Sequence, residues 1–304
     1  MLTVHLLGRF DLRLQEGIRC DLGSHKAEEL FAFLVLRRGR PCGRDYVADL
    51  LWEDGSAQSR KYLRQALWQV NRGLVGANLE NLLTTDHEWM QLSHASLNVD
   101  LLTVEEVNQR SLGQVGRDFL PKTAAAVESA ALLYQGDLMD GWHSTWLADE
   151  RERCRAVFLT LAEKLCDYYE SRGQVEATLA WIERVLAAEP AHERSHQRSM
   201  RVLYHAGDRT GALRQFQRCT AALSRELDVA PSPKTVALME RIRADTQIPV
   251  EFDSRPSSPA PGEVIACLRS FKSRLESLLQ DLDRDLSSIQ CQQATSPMRR
   301  SKGV

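Results

Sequence analysis

The stretch from Ser56 to Val75, SAQSRKYLRQALWQVNRGLV, most constrains what this chain can become. At 100° per residue, Leu63, Ala66, Leu67, Val70 and Leu74 share one side of a helix. Lys61, Gln65, Trp68 and Arg72 share the opposite side, with Arg64 and Gln69 on its flanks. Ser56 and Ser59 are both N-cap candidates, because a hydroxyl there accepts from the free amides of a first turn. The outer face thus carries long hydrogen-bond donors, one aromatic ring and no acid. Such a face pairs with phosphates and base edges in a major groove. Taken alone it fits a solvated surface better, so the neighbouring segments decide.

Residues 2–22 alternate apolar and polar, with Gly8 and Glu16-Gly17 as punctuation, which predicts a small antiparallel strand set. Ser24 then opens a helix with Glu28 near its start and Leu30, Phe31, Phe33, Leu34 and Leu36 as a wide apolar face. Arg37-Arg38-Gly39-Arg40-Pro41 stops it. A second helix, GRDYVADLLWED, is expected to bury Tyr46, Val47, Leu50, Leu51 and Trp52. Beyond the Ser56–Val75 helix, LLTT and WMQL flank Asp86-His87-Glu88 as the arms of a hairpin. Strands, three helices and a closing hairpin make a winged helix-turn-helix over residues 1–98.

Charge is placed rather than abundant. The whole chain carries −2, and residues 1–98 hold twelve Lys/Arg against twelve Asp/Glu. From Arg37 to Arg72 there are eight bases and four acids, a local excess where a nucleic-acid contact would lie. The seven cysteines are scattered, odd in number and without a C-x-x-C pair, which argues against a disulfide framework or a zinc site. No basic leader precedes an apolar core, and no apolar run approaches the length of a membrane span. A cytoplasmic protein with reduced thiols and no membrane contact is expected.

The second half repeats. Tyr169, Gly173, Ala177 and Trp181 recur as Tyr204, Gly207, Ala212 and Phe216, at offsets of 34 or 35 residues. That period predicts tetratricopeptide-like helix pairs with a small residue at each crossing. Such pairs stack into a superhelix that binds proteins and performs no chemistry of its own. Helices beginning near Val99 and Lys122 supply the connection and first pair. His192-Glu193-Arg194-Ser195-His196 is a literal H-E-x-x-H, which in a zincin holds zinc between two imidazoles one turn apart. A third ligand and a cleft beside a sheet are lacking, so no metal is assigned. With no phosphate loop, nucleophile elbow or carboxylate pair either, neither a cofactor nor an enzymatic activity is expected.

Residues 248–262, with four prolines, read as a linker. Over residues 263–291, Leu268, Phe271, Leu275, Leu278 and Leu282 form an a/d seam. That seam fits either a homodimer or docking on the chain's own helices. Residues 292–304 are polar and expected to be disordered.

Leu6-x-Gly8-x-Phe10, Lys26, Leu51-Trp52-Glu53-Asp54 and Ser59-Arg60-x-x-Leu63-Arg64-Gln65-x-Leu67 resemble the OmpR-type DNA-binding half of bacterial transcriptional activator domain proteins. That family includes regulators of antibiotic clusters. Leu132-x-Tyr134-x-Gly136-Asp137-Leu138, Trp146-Leu147-x-x-Glu150-Arg151, Pro190-x-x-Glu193-x-x-His196 and Glu226-Leu227-x-x-x-Pro231-Ser232 are similar to the family's helical domain. The resemblance spans roughly residues 2–245, in the family's order. It departs at the hairpin, where the family often has a Gly-Tyr-Arg-like tip and this chain has Glu88-Trp89-Met90-Gln91. It departs again at Val70-Asn71, where a Leu-Arg pair is usual.

The expected fold is mainly α, a winged helix-turn-helix at residues 1–98 followed by an all-α tetratricopeptide-like superhelix at 99–247. The resemblance implies a DNA-binding transcriptional regulator, an activator, whose helical domain contacts a protein such as RNA polymerase. Contacts to double-stranded promoter DNA fall to Arg60, Lys61, Arg64, Gln65, Trp68, Gln69 and Arg72. The alternative is an interaction scaffold whose winged helix no longer binds DNA.

Overall fold

The computed structural model of the protein describes residues 1–14, 17–52 and 57–246. Ser56, the linker at 248–262, the seam at 263–291 and the 292–304 tail lie outside them. The chain begins with β1 (Leu2–His5), antiparallel to β2 (Asp11–Leu14) across a turn in which Gly8 adopts φ +105°. A third strand, β6 (Leu97–Val99), pairs in parallel with β1, an addition the local alternation does not reveal. Helix α1 (His25–Leu36) starts where the Ser24 hydroxyl accepts from Ala27 N, and Leu30, Phe31, Phe33 and Leu34 are buried beneath it. Helix α2 (Arg44–Trp52) follows the short β3 (Cys42–Gly43).

α2 buries Val47, Ala48 and Leu51, whereas Leu50 and Trp52 are half-buried. Tyr46, expected inside, is 55% exposed and only flanks Phe33 at 6.5 Å. It sits in the first turn of α2, where the described residues leave it largely uncovered. Helix α3 (Ala57–Gly76) buries Leu63, Ala66, Leu67, Val70 and Leu74, the face its period predicts. Ser59 lies inside its first turn and is buried, so it is not the cap. Strands β4 (Leu83–Thr85) and β5 (Trp89–Leu92) close as a hairpin around Asp86-His87-Glu88, with β3 pairing on the far edge of β5. The winged helix-turn-helix is complete.

β6 runs directly into α4 (Asp100–Arg110), and α5 (Pro121–Ala131) packs on it. Two helix pairs follow: α6 (Leu147–Glu170) with α7 (Val175–Ala188), and α8 (Glu193–His205) with α9 (Arg209–Leu227). A last helix, α10 (Pro233–Arg243), covers the end. Gly173 and Gly207 occupy the two interhelix turns at φ +67° and +85°, a region that favours glycine. The fully buried small residues early in α9 and α7 are Ala212 and Thr178. Thr178 takes the place expected of Ala177, which is half-buried, and donates its hydroxyl to Gln174 O at 2.9 Å.

The described residues all belong to one compact unit, with a core continuous from β1 to α7. Residues 132–146 fold back onto the winged helix: Gly8 N donates to Asp137 O at 3.0 Å, and Met139 N donates to Leu6 O at 2.8 Å. Arg151 holds that segment by donating to the carbonyls of Leu138, Met139 and Trp142. Glu29, fully buried on α1, accepts from Ser144 and from the Trp146 indole and pairs with Lys26. Trp142 stacks on His25 at 3.8 Å. Asp100 accepts from Leu6 N and Leu7 N, and burial holds its pKa above the usual carboxylate value despite these donors.

Candidate nucleic-acid interface

The site is the outer face of α3, held rigid because its other face is core. Among the described residues Lys61, Arg64 and Gln65 are exposed and have neither a hydrogen bond nor an ion pair. They fall at i, i+3 and i+4, so they form one contiguous row. Arg60 forks onto Asp45 of α2 at 2.8 and 3.2 Å, with both side chains mostly exposed. An ion pair so open to solvent is worth little, and the guanidinium can exchange its carboxylate for another anion cheaply. Trp68 is 59% exposed, with the Arg72 guanidinium 5.3 Å from its ring. The indole borders an open cleft with Ile18 and Gly73.

Gln69 stands apart from the rest. It is half-buried, and its Oε1 accepts from the Ser24 hydroxyl at 2.6 Å. Ser24 thus gives its one proton to Gln69 while its oxygen caps α1. A bidentate contact to adenine needs both ends of the amide, and one end is already engaged. Gln69 joins the two helices of the motif. Asp45 and Gln91 were likewise invisible in the sequence as partners: Gln91 donates to Gly39 O at 2.6 Å and ties the hairpin to the loop after α1.

The hairpin tip is acidic. Asp86 accepts from Trp89 N at 2.7 Å and Glu88 N at 2.8 Å, and these backbone donors hold its carboxyl below the usual range. Arg44, which the sequence did not single out, secures the tip from α2: its N–H donates to Glu88 O, and its guanidinium to Asp86 O, each at 2.8 Å. Its position directly after Gly43, at the start of a helix, was the available signal.

The H-E-x-x-H residues point to separate partners. His196 places Nε2 3.0 Å from Pro190 O and Nδ1 2.8 Å from Gln215 Nε2. His192 meets Ser195 at 2.9 Å and Glu163 at 3.5 Å. Glu193 accepts from Ser232 N at 2.7 Å and from the Thr235 hydroxyl. Burial lowers the pKa of both imidazoles, which favours their neutral forms. Among the described residues no group of three or more His, Cys, Asp or Glu is placed to hold a metal. The five described cysteines are free and buried, and no described helix is long and apolar enough to cross a membrane.

Residues 99–243 match the family described as Bacterial transcriptional activator domain. The chain carries that activator domain. Around it the likeness extends into the winged helix: Transcriptional regulatory protein MoaR1 of Mycobacterium tuberculosis is 22% identical over 243 residues, 78% of each chain. Transcriptional regulatory protein EmbR of the same organism is 22% identical over 265 residues, 85% of this chain and 67% of EmbR. The structure of EmbR in complex with a low-affinity phosphopeptide superposes with a TM-score of 0.59 at 21% identity. That superposition covers 81% of this chain and 66% of the EmbR chain, and it is a likeness of fold. The activator domain begins at the residue where β6 gives way to α4.

Proposed function

We propose that the protein is a sequence-specific DNA-binding transcriptional regulator, an activator, with α3 in the major groove of a promoter. The observation that carries this reading is the acid-free row of Lys61, Arg64 and Gln65, exposed and unengaged among the described residues. Arg64 suits guanine O6 and N7, Gln65 suits adenine, and Lys61 and Arg72 suit phosphates. Arg60 would exchange Asp45 for a phosphate, and Trp68 would meet a thymine methyl. Gln69 supports the row by fixing α3 to α1. Residues 1–98 are the DNA-binding part and 99–247 the part that contacts a protein, RNA polymerase being the partner that the activator domain suggests.

The deciding experiment is selection of bound sites from random duplex DNA with the full-length protein. An enriched direct or inverted repeat supports the reading and gives the stoichiometry. Sedimentation of the chain lacking residues 263–304 then tests for a homodimer. The acidic hairpin tip favours a second reading, an interaction scaffold that does not bind DNA. Selection that enriches no sequence, from protein that is folded and soluble, would install the scaffold in its place.

A further inference from the structure

The turn between β1 and β2 and the segment after α5 enclose an open cavity of about 680 Å³. Its walls are of two kinds. Phe10, Leu132 and Leu133 supply apolar surface, and Leu132 is 44% exposed although it faces a concavity. Arg9, Arg13 and Arg19 supply guanidinium groups. One carboxylate in the lining, Asp11, serves two of them, Arg13 at 2.5 Å and Arg19 at 3.9 Å, and Arg19 also reaches Glu28 at 3.5 Å. Arg9 is exposed and has no partner among the described residues. Apolar walls with a few convergent polar groups, at this volume, are the usual make-up of a small-molecule site. The polar groups here favour negative charge.

We propose that this cavity binds a small amphipathic organic anion: a carboxylate, sulfonate or phosphate on an apolar ring or short chain. The anionic group would pair with Arg9, and the apolar body would lie on Leu132 and Leu133. The arginines belong to the winged helix and the leucines lead into the segment that folds back on it, where Gly8 N meets Asp137 O and Asp140 N meets Gly8 O. An occupant therefore touches both residues 1–98 and the activator domain. The site lies apart from the α3 row and does not depend on that row reading DNA.

The test is a fluorescence titration of the full-length protein with 1-anilinonaphthalene-8-sulfonate, an aromatic anion of the proposed kind. Saturable binding at one site is expected, weakened about tenfold or more by Arg9→Glu, since a hydrogen bond to a charged group is worth about that much. Arg40→Glu, the same charge change at an exposed arginine outside the cavity, should leave it unchanged. N-phenyl-1-naphthylamine, the same ring system without the sulfonate, should bind about tenfold more weakly. Leu132→Asp, which alters an exposed wall and not the core, gives an independent variant with the same expected loss should Arg9→Glu fail to fold. Equal affinity for the neutral probe, or unchanged affinity in the folded cavity variants, overturns the proposal. So does an Arg9→Glu protein that loses duplex DNA binding while keeping the probe, because Arg9 is then a phosphate contact.

Discussion

On α3, Lys61, Arg64 and Gln65 have no hydrogen bond or ion pair among the described residues, whereas on α8 Glu193, His196, Gln197 and Arg198 are each bound to another element. Glu193 and Gln197 reach Thr235 of α10, His196 reaches Gln215 of α9, and Arg198 forks onto Asp167 and Glu170 of α6. The second face carries a literal metalloprotease signature and the first carries none. A polar helical face is available for a ligand only when the surrounding fold leaves its donors unengaged. α8 is sandwiched between neighbours and its polar groups bind α6, α9 and α10; among the described residues α3 has its neighbours on one side only.

The comparison breaks most readily at Arg198, whose side chain is 11% exposed. Arg198→Ala should cost about 3 kcal/mol in denaturant unfolding, because two carboxylates lose their common partner in a poorly solvated place. Loss below about 0.5 kcal/mol would put α8 in the same class as an open surface. Next in size is Gln65→Ala, expected to cost on the order of 1–3 kcal/mol on a selected operator and to relax choice at one position. Its folding stability should be untouched, which is the reverse of Arg198.

A pH titration sharpens the contrast further. His192 and His196 have pKa values lowered by burial, so the unfolded chain binds more protons below the ordinary histidine value of about 6.5. Stability from these two groups is fully present above that pH and is lost as pH falls through their lowered folded values. Thermal unfolding followed from pH 7.5 to 5 should show the decline, and a variant carrying His192→Gln and His196→Gln should show a shallower one. Smaller still is Lys61→Ala: weaker binding to all duplexes alike, with the salt slope reduced by about 0.9 and no stability change beyond about 0.5 kcal/mol. At zero stands chelation, which should leave the melting curve unmoved. A stoichiometric zinc, lost on changing either His192 or His196, would falsify the assignment of α8 as framework.

The helices and the closing hairpin of the winged helix were legible because they depend on local pattern. The α3 period put Leu63, Ala66, Leu67, Val70 and Leu74 inside, and all five are buried. Ser24 announced α1, and Asp86-His87-Glu88 announced the hairpin. The repeat at 34 or 35 residues located both interhelix turns, although the buried position in the first pair proved to be Thr178 and not its neighbour. Periodicity gives direction to within about a residue, since one step along a helix rotates a side chain by 100°. Tyr46 was misplaced for a related reason: an apolar residue in a first turn looks the same in sequence whether or not a neighbour covers it.

What the sequence determined by itself, then, is which faces are apolar, where helices start and stop, and which polar side chains stand together. Whether those side chains are free was decided by partners far along the chain. Gln69 belongs with Gln65 by spacing, but Ser24, 45 residues earlier, engages it. Glu29 looks like an ordinary surface acid in the first turns of α1, yet Ser144 and Trp146, more than a hundred residues later, bury it. The third strand of the first sheet, β6, comes from 95 positions beyond β1. A hydrogen bond needs its partner within about 3 Å, and only the packing of the whole chain brings residues so distant in sequence to that separation. The row of Lys61, Arg64 and Gln65 is a candidate site because, among the described residues, nothing engages it.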